Sequence, residues 1–139
     1  AKRAGRFAKR IGLPMAIIDK RRVADTEVVQ GLVVGDVNGR DAIIFEDEVS
    51  TGGTLAASVN TLSVAGVNSI HVGATHGVLC GPAVKRLVDS VIESVIVTNT
   101  VHVPKNKQDR KISTISVAPL FAEAIRRIHT GESVGALFD

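Results

Sequence analysis

Short apolar runs alternate with amphipathic, helix-like segments along most of this chain. The apolar runs are bounded by glycine, proline or charged residues, as the buried strands of parallel sheets usually are. They lie at residues 15–18, 32–34, 42–45, 70–74, 94–97 and 112–117. Helical patterns lie at residues 1–10, 54–65, 82–90 and 119–130. Strands that alternate with helices predict an α/β fold, in which helices flank both faces of a mostly parallel sheet.

The last of these helices has a clear apolar face. Its members recur at helical spacing: Leu120, Phe121, Ala124, Ile125 and Ile128. This spacing is typical of a helix that is buried against a core. Gly131 follows as the stop signal, so we expect the helix to end there.

The composition indicates one ordinary globular domain. The chain has 139 residues, of which 45% are apolar, and no apolar run is long enough to span a membrane. Its single cysteine, Cys80, excludes an internal disulfide and fits a reducing compartment, so we expect a cytoplasmic protein. No base lies near Cys80 in the sequence, and we interpret this residue as a small space-filling side chain.

Positive charge is concentrated at the start of the chain. Eight of the 17 Lys and Arg residues, but only one of the 14 acidic residues, lie in the first 22 positions. A basic face of this kind sometimes binds nucleic acid, yet the chain has no Tyr or Trp, and no Phe interleaves with the cluster at residues 20–22. We therefore expect neither a nucleic-acid nor a membrane partner, and interpret the cluster as a site for small, phosphate-rich substrates.

Residues 42–54 carry the most specific chemical signal. A buried strand leads into Glu46 and Asp47, and then into a loop whose glycines allow a sharp turn with outward-pointing N–H groups, made by Thr51, Gly52, Gly53 and Thr54. The helix that follows adds the positive end of its dipole, so the loop is suited to a phosphate monoester. The carboxylates can accept hydrogen bonds from sugar hydroxyls or bind Mg²⁺. Together they predict a sugar-phosphate site, with a simple turn capped by Thr54 as the alternative.

These residues also resemble a known family. Glu46, Asp47 and the Thr-Gly-Gly-Thr loop resemble the phosphoribosyl-diphosphate (PRPP) motif of type I phosphoribosyltransferases. Further matching segments, at residues 13–22, 34–37, 75–83, 97–100, 122–129 and 131–134, resemble in this order the C-terminal half of ribose-phosphate pyrophosphokinases (PRPP synthases). The resemblance covers essentially the whole chain. It implies a phosphoribosyltransferase-like domain over residues 1–139, a flexible flap after the first strand, and an absent N-terminal half.

The resemblance also implies a reaction and residue roles. The family transfers the diphosphoryl group of ATP to the 1-hydroxyl of ribose 5-phosphate, which gives PRPP and AMP and requires Mg²⁺. Lys20 and Arg22 would be the catalytic cations that stabilise the transferring group, while Arg21 is a bystander. The ribose 5-phosphate site would comprise Glu46, Asp47, Ser50, Thr51, Gly52, Gly53 and Thr54, with Glu46 and Asp47 also facing a ribose-bound Mg²⁺. The family forms homo-oligomers, typically hexamers, and we expect the chain to be inactive without its other half.

Several positions depart from the family pattern. Glu46 stands where many synthases have aspartate, and Ser50 replaces an aspartate that faces C1 of the ribose. Cys80 stands where the family usually has serine. At the C-terminus Ser133 and Phe138 match an allosteric phosphate or ADP site, but Gly135 replaces a serine, so we expect weaker inhibition by ADP.

Two other functions remain open at this stage. The same loop serves phosphoribosyltransferases that consume PRPP, although no aromatic hood for a nucleobase is apparent. A non-catalytic regulatory subunit related to the synthases is the other alternative, which Ser50 favours slightly. His71 and His129 are expected to be packed or capping residues. His76 lies near the expected site but has no partner at metal-ligand spacing.

Overall fold

The computed structural model describes residues 2–19, 22–24, 27–28 and 31–138. The strands are β1 (Ile17–Asp19), β2 (Arg22–Ala24), β3 (Glu27–Val28), β4 (Leu32–Val34), β5 (Asp41–Val49), β6 (Ser69–Gly77), β7 (Ile92–Thr98) and β8 (Ile112–Ile115). The helices are α1 (Lys2–Ile11), α2 (Gly53–Val64), α3 (Ala83–Val88) and α4 (Ala118–Thr130), and short 3₁₀ turns form at Lys105–Lys107 and Gly135–Leu137. Every strand and helix expected from the sequence is present, with boundaries moved by a few residues.

The main sheet is parallel and has the strand order β5-β6-β7-β8. Its register places Ile44 beside Val72, and Val72 beside Val95. Helix α2 connects β5 to β6 and α3 connects β6 to β7, which is the crossover arrangement that parallel neighbours require. The α/β class with a parallel, helix-flanked sheet is therefore confirmed.

The early strands lie outside this sheet. β1 pairs with β4 in antiparallel fashion, with Ile17 opposite Val34. β2 pairs with β3, also antiparallel, with Arg22 opposite Val28. The apolar runs at residues 15–18 and 32–34 were thus correctly identified as strands, but they form a separate ribbon.

The core lies on one face of the main sheet. Val72, Val95 and Val97 point into it from the strands with at most 1% exposure, and Leu55, Val59 and Leu62 of α2 cover them. Fully burying one such side chain stabilises the fold by about 1.5–3 kcal/mol. This face therefore places the C-terminal ends of β5 and β6 beside the start of α2.

The opposite face is only partly covered by described residues. Phe7 of α1 packs on Phe45, with ring centroids 4.1 Å apart and ring planes at 53°. Ile43, Phe45 and Ile96 nevertheless remain 41–49% exposed. The expectation of a sheet buried on both faces thus holds for one face in the described part of the chain.

Helix α4 differs from its predicted role. It ends at Gly131, which has a φ of 71° as expected for a C-terminal glycine, but none of its residues is buried. Ile125 and Ile128 are 66% and 69% exposed, so the expected core face is wrong for this fold as described. Helical spacing reveals that a face is apolar, but it does not identify the surface that face packs against. Within the described ranges, no helix is long and apolar enough to cross a membrane.

Candidate functional site

The two acids lie within a strand rather than after it. β5 continues to Val49, beyond the predicted end at residue 45, so Glu46 and Asp47 are strand residues, which corrects the sequence-based boundary. Glu46 pairs with Ala74 of β6 and is half-buried, whereas Asp47 is exposed. Both remain near the carboxyl end of a parallel strand, where the ligands of open α/β sheets bind.

Residues 51–54 form the turn after β5 and are called the 51–54 loop below. The turn contains a glycine in the left-handed conformation. Gly52 has φ 74° and ψ 3° and forms the N-cap of α2. No side chain caps the helix, so Thr54 does not play the capping role that the alternative reading requires. Within the described part of the chain, the N–H groups of Thr51, Gly52 and Gly53 donate to no acceptor. These donors therefore have no use within the described fold, and Thr51 and Gly53 are exposed whereas Gly52 is buried.

Helix α2 strengthens this anion site electrostatically. It runs for 12 residues and carries no acidic side chain in its first turn. Its aligned peptide dipoles place roughly half a positive charge at the N-terminus, and no acid on the helix offsets that charge. The loop therefore combines free donors with a positive potential.

A second loop braces the end of β5. The N–H of Leu79 donates to the carbonyl of Val49 at 2.9 Å, and that of Cys80 donates to the carbonyl of Ser50 at 3.0 Å. Leu79 adopts a positive φ of 50° and is fully buried. Because a left-handed conformation costs a non-glycine residue roughly 1–2 kcal/mol, the buried leucine side chain has to hold it in place.

This loop also brings Ser50 and Cys80 together. The Ser50 Oγ lies 3.0 Å from the Cys80 Sγ. The two residues are 30 positions apart in sequence. Cys80 was expected only to fill space; its contact with a predicted site residue was missed, since nothing local to either residue signals it.

Arg86 of α3 is a further residue that the sequence did not single out. Its Nη1 donates to the carbonyl of Thr51 at 2.9 Å. Arg86 is exposed, as basic residues on a short helix usually are, and no motif marks this one. Only the packing of α3 beneath the 51–54 loop reveals the contact.

The ends of β6 and β7 present polar side chains at the same edge of the sheet. The His76 Nδ1 lies 2.8 Å from the Thr100 Oγ1, and the Thr98 hydroxyl donates to the carbonyl of Thr75 at 2.6 Å. Among the described residues, no three His, Cys, Asp or Glu side chains are grouped to hold a metal ion. Any divalent cation here would need oxygen ligands from a substrate or from water as well.

Two predicted groups of residues are not joined to this site by any described contact. Lys20 lies outside the described residues, and of Arg22 only the backbone is described, in β2. Ser133 and Phe138 are exposed at the C-terminal end, where Arg127 donates to the Ser133 carbonyl at 3.0 Å. Their catalytic and allosteric roles stay predictions.

The C-terminal tail (residues 131–138) is joined to α4 by a network of surface ion pairs. Arg126 donates to Glu123 at 2.8 Å and to Glu132 at 2.6 Å, and Arg127 donates to Glu123 at 2.8 Å. Hydrogen bonds from Arg126 are the main reason that the pKa values of Glu123 and Glu132 fall to about 2. This network positions residues 132–133, and none of its described contacts reaches the 51–54 loop.

Comparison with known proteins identifies the family. The model of the phosphoribosyl synthetase-associated domain matches residues 25–139. The chain belongs to this family. The ribose-phosphate pyrophosphokinase of Deinococcus radiodurans is 44% identical over 140 residues, covering 99% of this chain and 44% of that protein. That of Caldanaerobacter subterraneus is 47% identical over 136 residues, covering 98% of this chain and 43% of that protein.

The family likeness extends to three-dimensional structure. The crystal structure of phosphoribosylpyrophosphate synthetase from Mycobacterium smegmatis superposes with a TM-score of 0.85 at 37% identity, covering 94% of this chain and 42% of the other. The resemblance seen in the sequence is thus confirmed. This family member spans less than half the length of the relatives it matches.

Proposed function

We propose that this chain provides the ribose 5-phosphate site of a ribose-phosphate diphosphokinase, which makes PRPP and AMP from ATP and ribose 5-phosphate. The observation that carries the proposal is that the N–H groups of Thr51, Gly52 and Gly53, next to the carboxylates of β5, have no acceptor among the described residues. The two relatives reported above are ribose-phosphate pyrophosphokinases and the solved structure is a phosphoribosylpyrophosphate synthetase, which favours diphosphoryl transfer over a transferase that consumes PRPP.

The 51–54 loop would bind the 5-phosphate. Backbone donors at a helix N-terminus satisfy phosphate oxygens without a lysine, because the peptide dipoles supply the positive potential. The Thr51 and Thr54 side chains are exposed and offer further hydroxyl donors. Ser50 completes this set, with its hydroxyl already in contact with Cys80.

The carboxylates of β5 would bind the sugar. Glu46 and Asp47 offer hard oxygen ligands, which suit both ribose hydroxyls and Mg²⁺. This donor set fits Mg²⁺, which is commonly held by one or two carboxylates together with substrate oxygens and water. When bound, the ion would neutralise phosphate charge and bridge the reactants.

Lys20 and Arg22 are proposed as the cations that meet the transferring diphosphoryl group. Charge on the phosphoryl oxygens is stabilised in such reactions by positioned cations, each worth roughly 10³-fold or more in rate. Strand β1 ends at Asp19, so Lys20 directly follows a strand. We further propose that turnover requires segments beyond these 139 residues, and that the assembled enzyme is a homo-oligomer.

Calorimetric titration of ribose 5-phosphate, with and without Mg²⁺, tests the site. Saturable binding that Mg²⁺ strengthens is the expected result. Glu46→Gln should weaken binding about tenfold and reduce the Mg²⁺ effect, since a hydrogen bond to a charged group is worth roughly 1.5–3 kcal/mol. Glu48→Gln is the matched control, because Glu48 lies on the same strand, is exposed and has no proposed role. Equal binding by both variants would contradict the role given to Glu46.

A regulatory subunit is the second candidate, and one observation favours it. The Ser50 hydroxyl faces the Cys80 thiol, a pair that offers no carboxylate at this position. The protein carrying Lys20→Ala separates the two functions. A synthase should lose PRPP formation by orders of magnitude, whereas a regulatory subunit should modulate its partner enzyme as before.

A further inference from the structure

The 51–54 loop is seated on helix α3. Ala83 is fully buried and Leu87 is 2% exposed, which anchors α3 in the core. A Cβ atom on Gly52 would lie 3.8 Å from the Cα of Ala83, an ordinary van der Waals distance, so the loop lies next to the start of α3. The position of the loop therefore depends on α3.

Arg86 extends this contact with a charged hydrogen bond. Its Nη1 donates to the carbonyl of Thr51 at 2.9 Å and lies 3.7 Å from where a Cβ on Gly53 would be. Among the described residues no carboxylate pairs with Arg86, whereas its neighbour Lys85 is paired with Asp89. In the described part of the chain, the Arg86 guanidinium therefore hydrogen-bonds to the loop and forms no ion pair with a carboxylate.

This hydrogen bond fixes the direction of one loop donor. The carbonyl of Thr51 and the N–H of Gly52 belong to one planar trans peptide unit, so they point in opposite directions. With the carbonyl turned toward Arg86, the Gly52 N–H points away from the Arg86 guanidinium. That N–H has no acceptor within the described part of the chain.

We propose that Arg86 is a positioning residue for the phosphate: by holding the Thr51 carbonyl, it presents the Gly52 N–H to the anion. The inference rests on the proposed function, because it takes ribose 5-phosphate as the ligand of the 51–54 loop. Arg86 acts through the peptide and does not itself touch the phosphate. Its permanent charge makes the bond to the carbonyl stronger than a neutral donor would.

Titration of ribose 5-phosphate and of inorganic phosphate into the unchanged chain and its variants tests this role. Arg86→Ala should weaken both ligands about tenfold, since hydrogen bonds that involve charged groups have that order of effect. Arg86→Gln keeps a donor of similar reach and should recover part of the loss. Lys85→Gln removes the same charge one residue away and should leave both affinities unchanged.

The amide resonance of Gly52, measured by NMR without ligand, is a second readout that does not depend on phosphate binding. Arg86→Ala should shift it while Lys85→Gln leaves it in place, and Arg86→Gln serves if the alanine variant does not fold. Unchanged affinity and an unchanged Gly52 resonance in the Arg86 variants would overturn the inference and leave the proposed function standing. Absence of ribose 5-phosphate binding by the unchanged, folded chain would overturn the proposed function and this inference with it.

Discussion

Two adjacent glycines in the 51–54 loop should respond oppositely to the same substitution. Gly52 has a φ of 74°, where an alanine is strained, whereas Gly53 is the first residue of α2 and does not have a positive φ. A Cβ fits sterically at both positions, because its nearest neighbours would lie 3.7–3.8 Å away. The two substitutions therefore differ mainly in backbone strain.

The expected magnitudes follow from that difference. Gly53→Ala should raise the free energy of unfolding by about 0.4–1 kcal/mol, because alanine restricts the unfolded chain and suits a helix. Gly52→Ala gains the same unfolded-state term but costs roughly 1–2 kcal/mol for the left-handed conformation. The unfolded-state term cancels between the variants, so Gly53→Ala should be more stable than Gly52→Ala by about 1–2 kcal/mol.

Urea denaturation followed by circular dichroism measures both variants against the unchanged chain. If Gly52→Ala proved as stable as Gly53→Ala, Gly52 would not be held in the left-handed conformation in solution. The free donors of the 51–54 loop would then lack the geometry on which the phosphate site depends.

Two further predictions concern packing and pH. Gly77→Ala should destabilise the fold by about 1–3 kcal/mol, because its Cβ would lie 2.9 Å from the Cγ2 of fully buried Val97. Thermal unfolding measures this loss of stability. The double variant with Val97→Ala should lose less stability than the sum of the two single variants, since the smaller side chain removes the clash. Carbon chemical shifts of Glu123 and Glu132 should report pKa values of about 2 in the folded protein, against 4.5 without the arginines. Because the folded pKa values are lowered, the ion network stabilises the tail above pH 4.5 and this stabilisation is lost as the pH falls toward 2. Arg126→Gln should raise both pKa values toward 4.5, and normal titration of these acids in the unchanged protein would contradict the network.

Features of this protein that depend on neighbouring residues could be predicted from the sequence. Apolar runs between turn residues located the strands of the main sheet, and Gly131 correctly marked the end of α4. The turn after β5 could also be predicted, because glycines that permit a left-handed turn are a local signal. The predicted end of β5 is too early, because Glu46 and Asp47 are poor strand formers, whereas the pairing of Glu46 and Glu48 with β6 extends the strand.

Contacts between residues that are distant in sequence could be found only in the folded protein. Ser50 contacts Cys80 across 30 positions and Arg86 reaches Thr51 across 35, and both contacts exist because β5, β6 and α3 are packed side by side. The same limit explains α4, whose spacing predicted a buried face that the described structure leaves exposed. Periodicity and turn signals depend on interactions among a few consecutive residues. These contacts depend instead on the free energy of packing whole elements together, which no local pattern encodes.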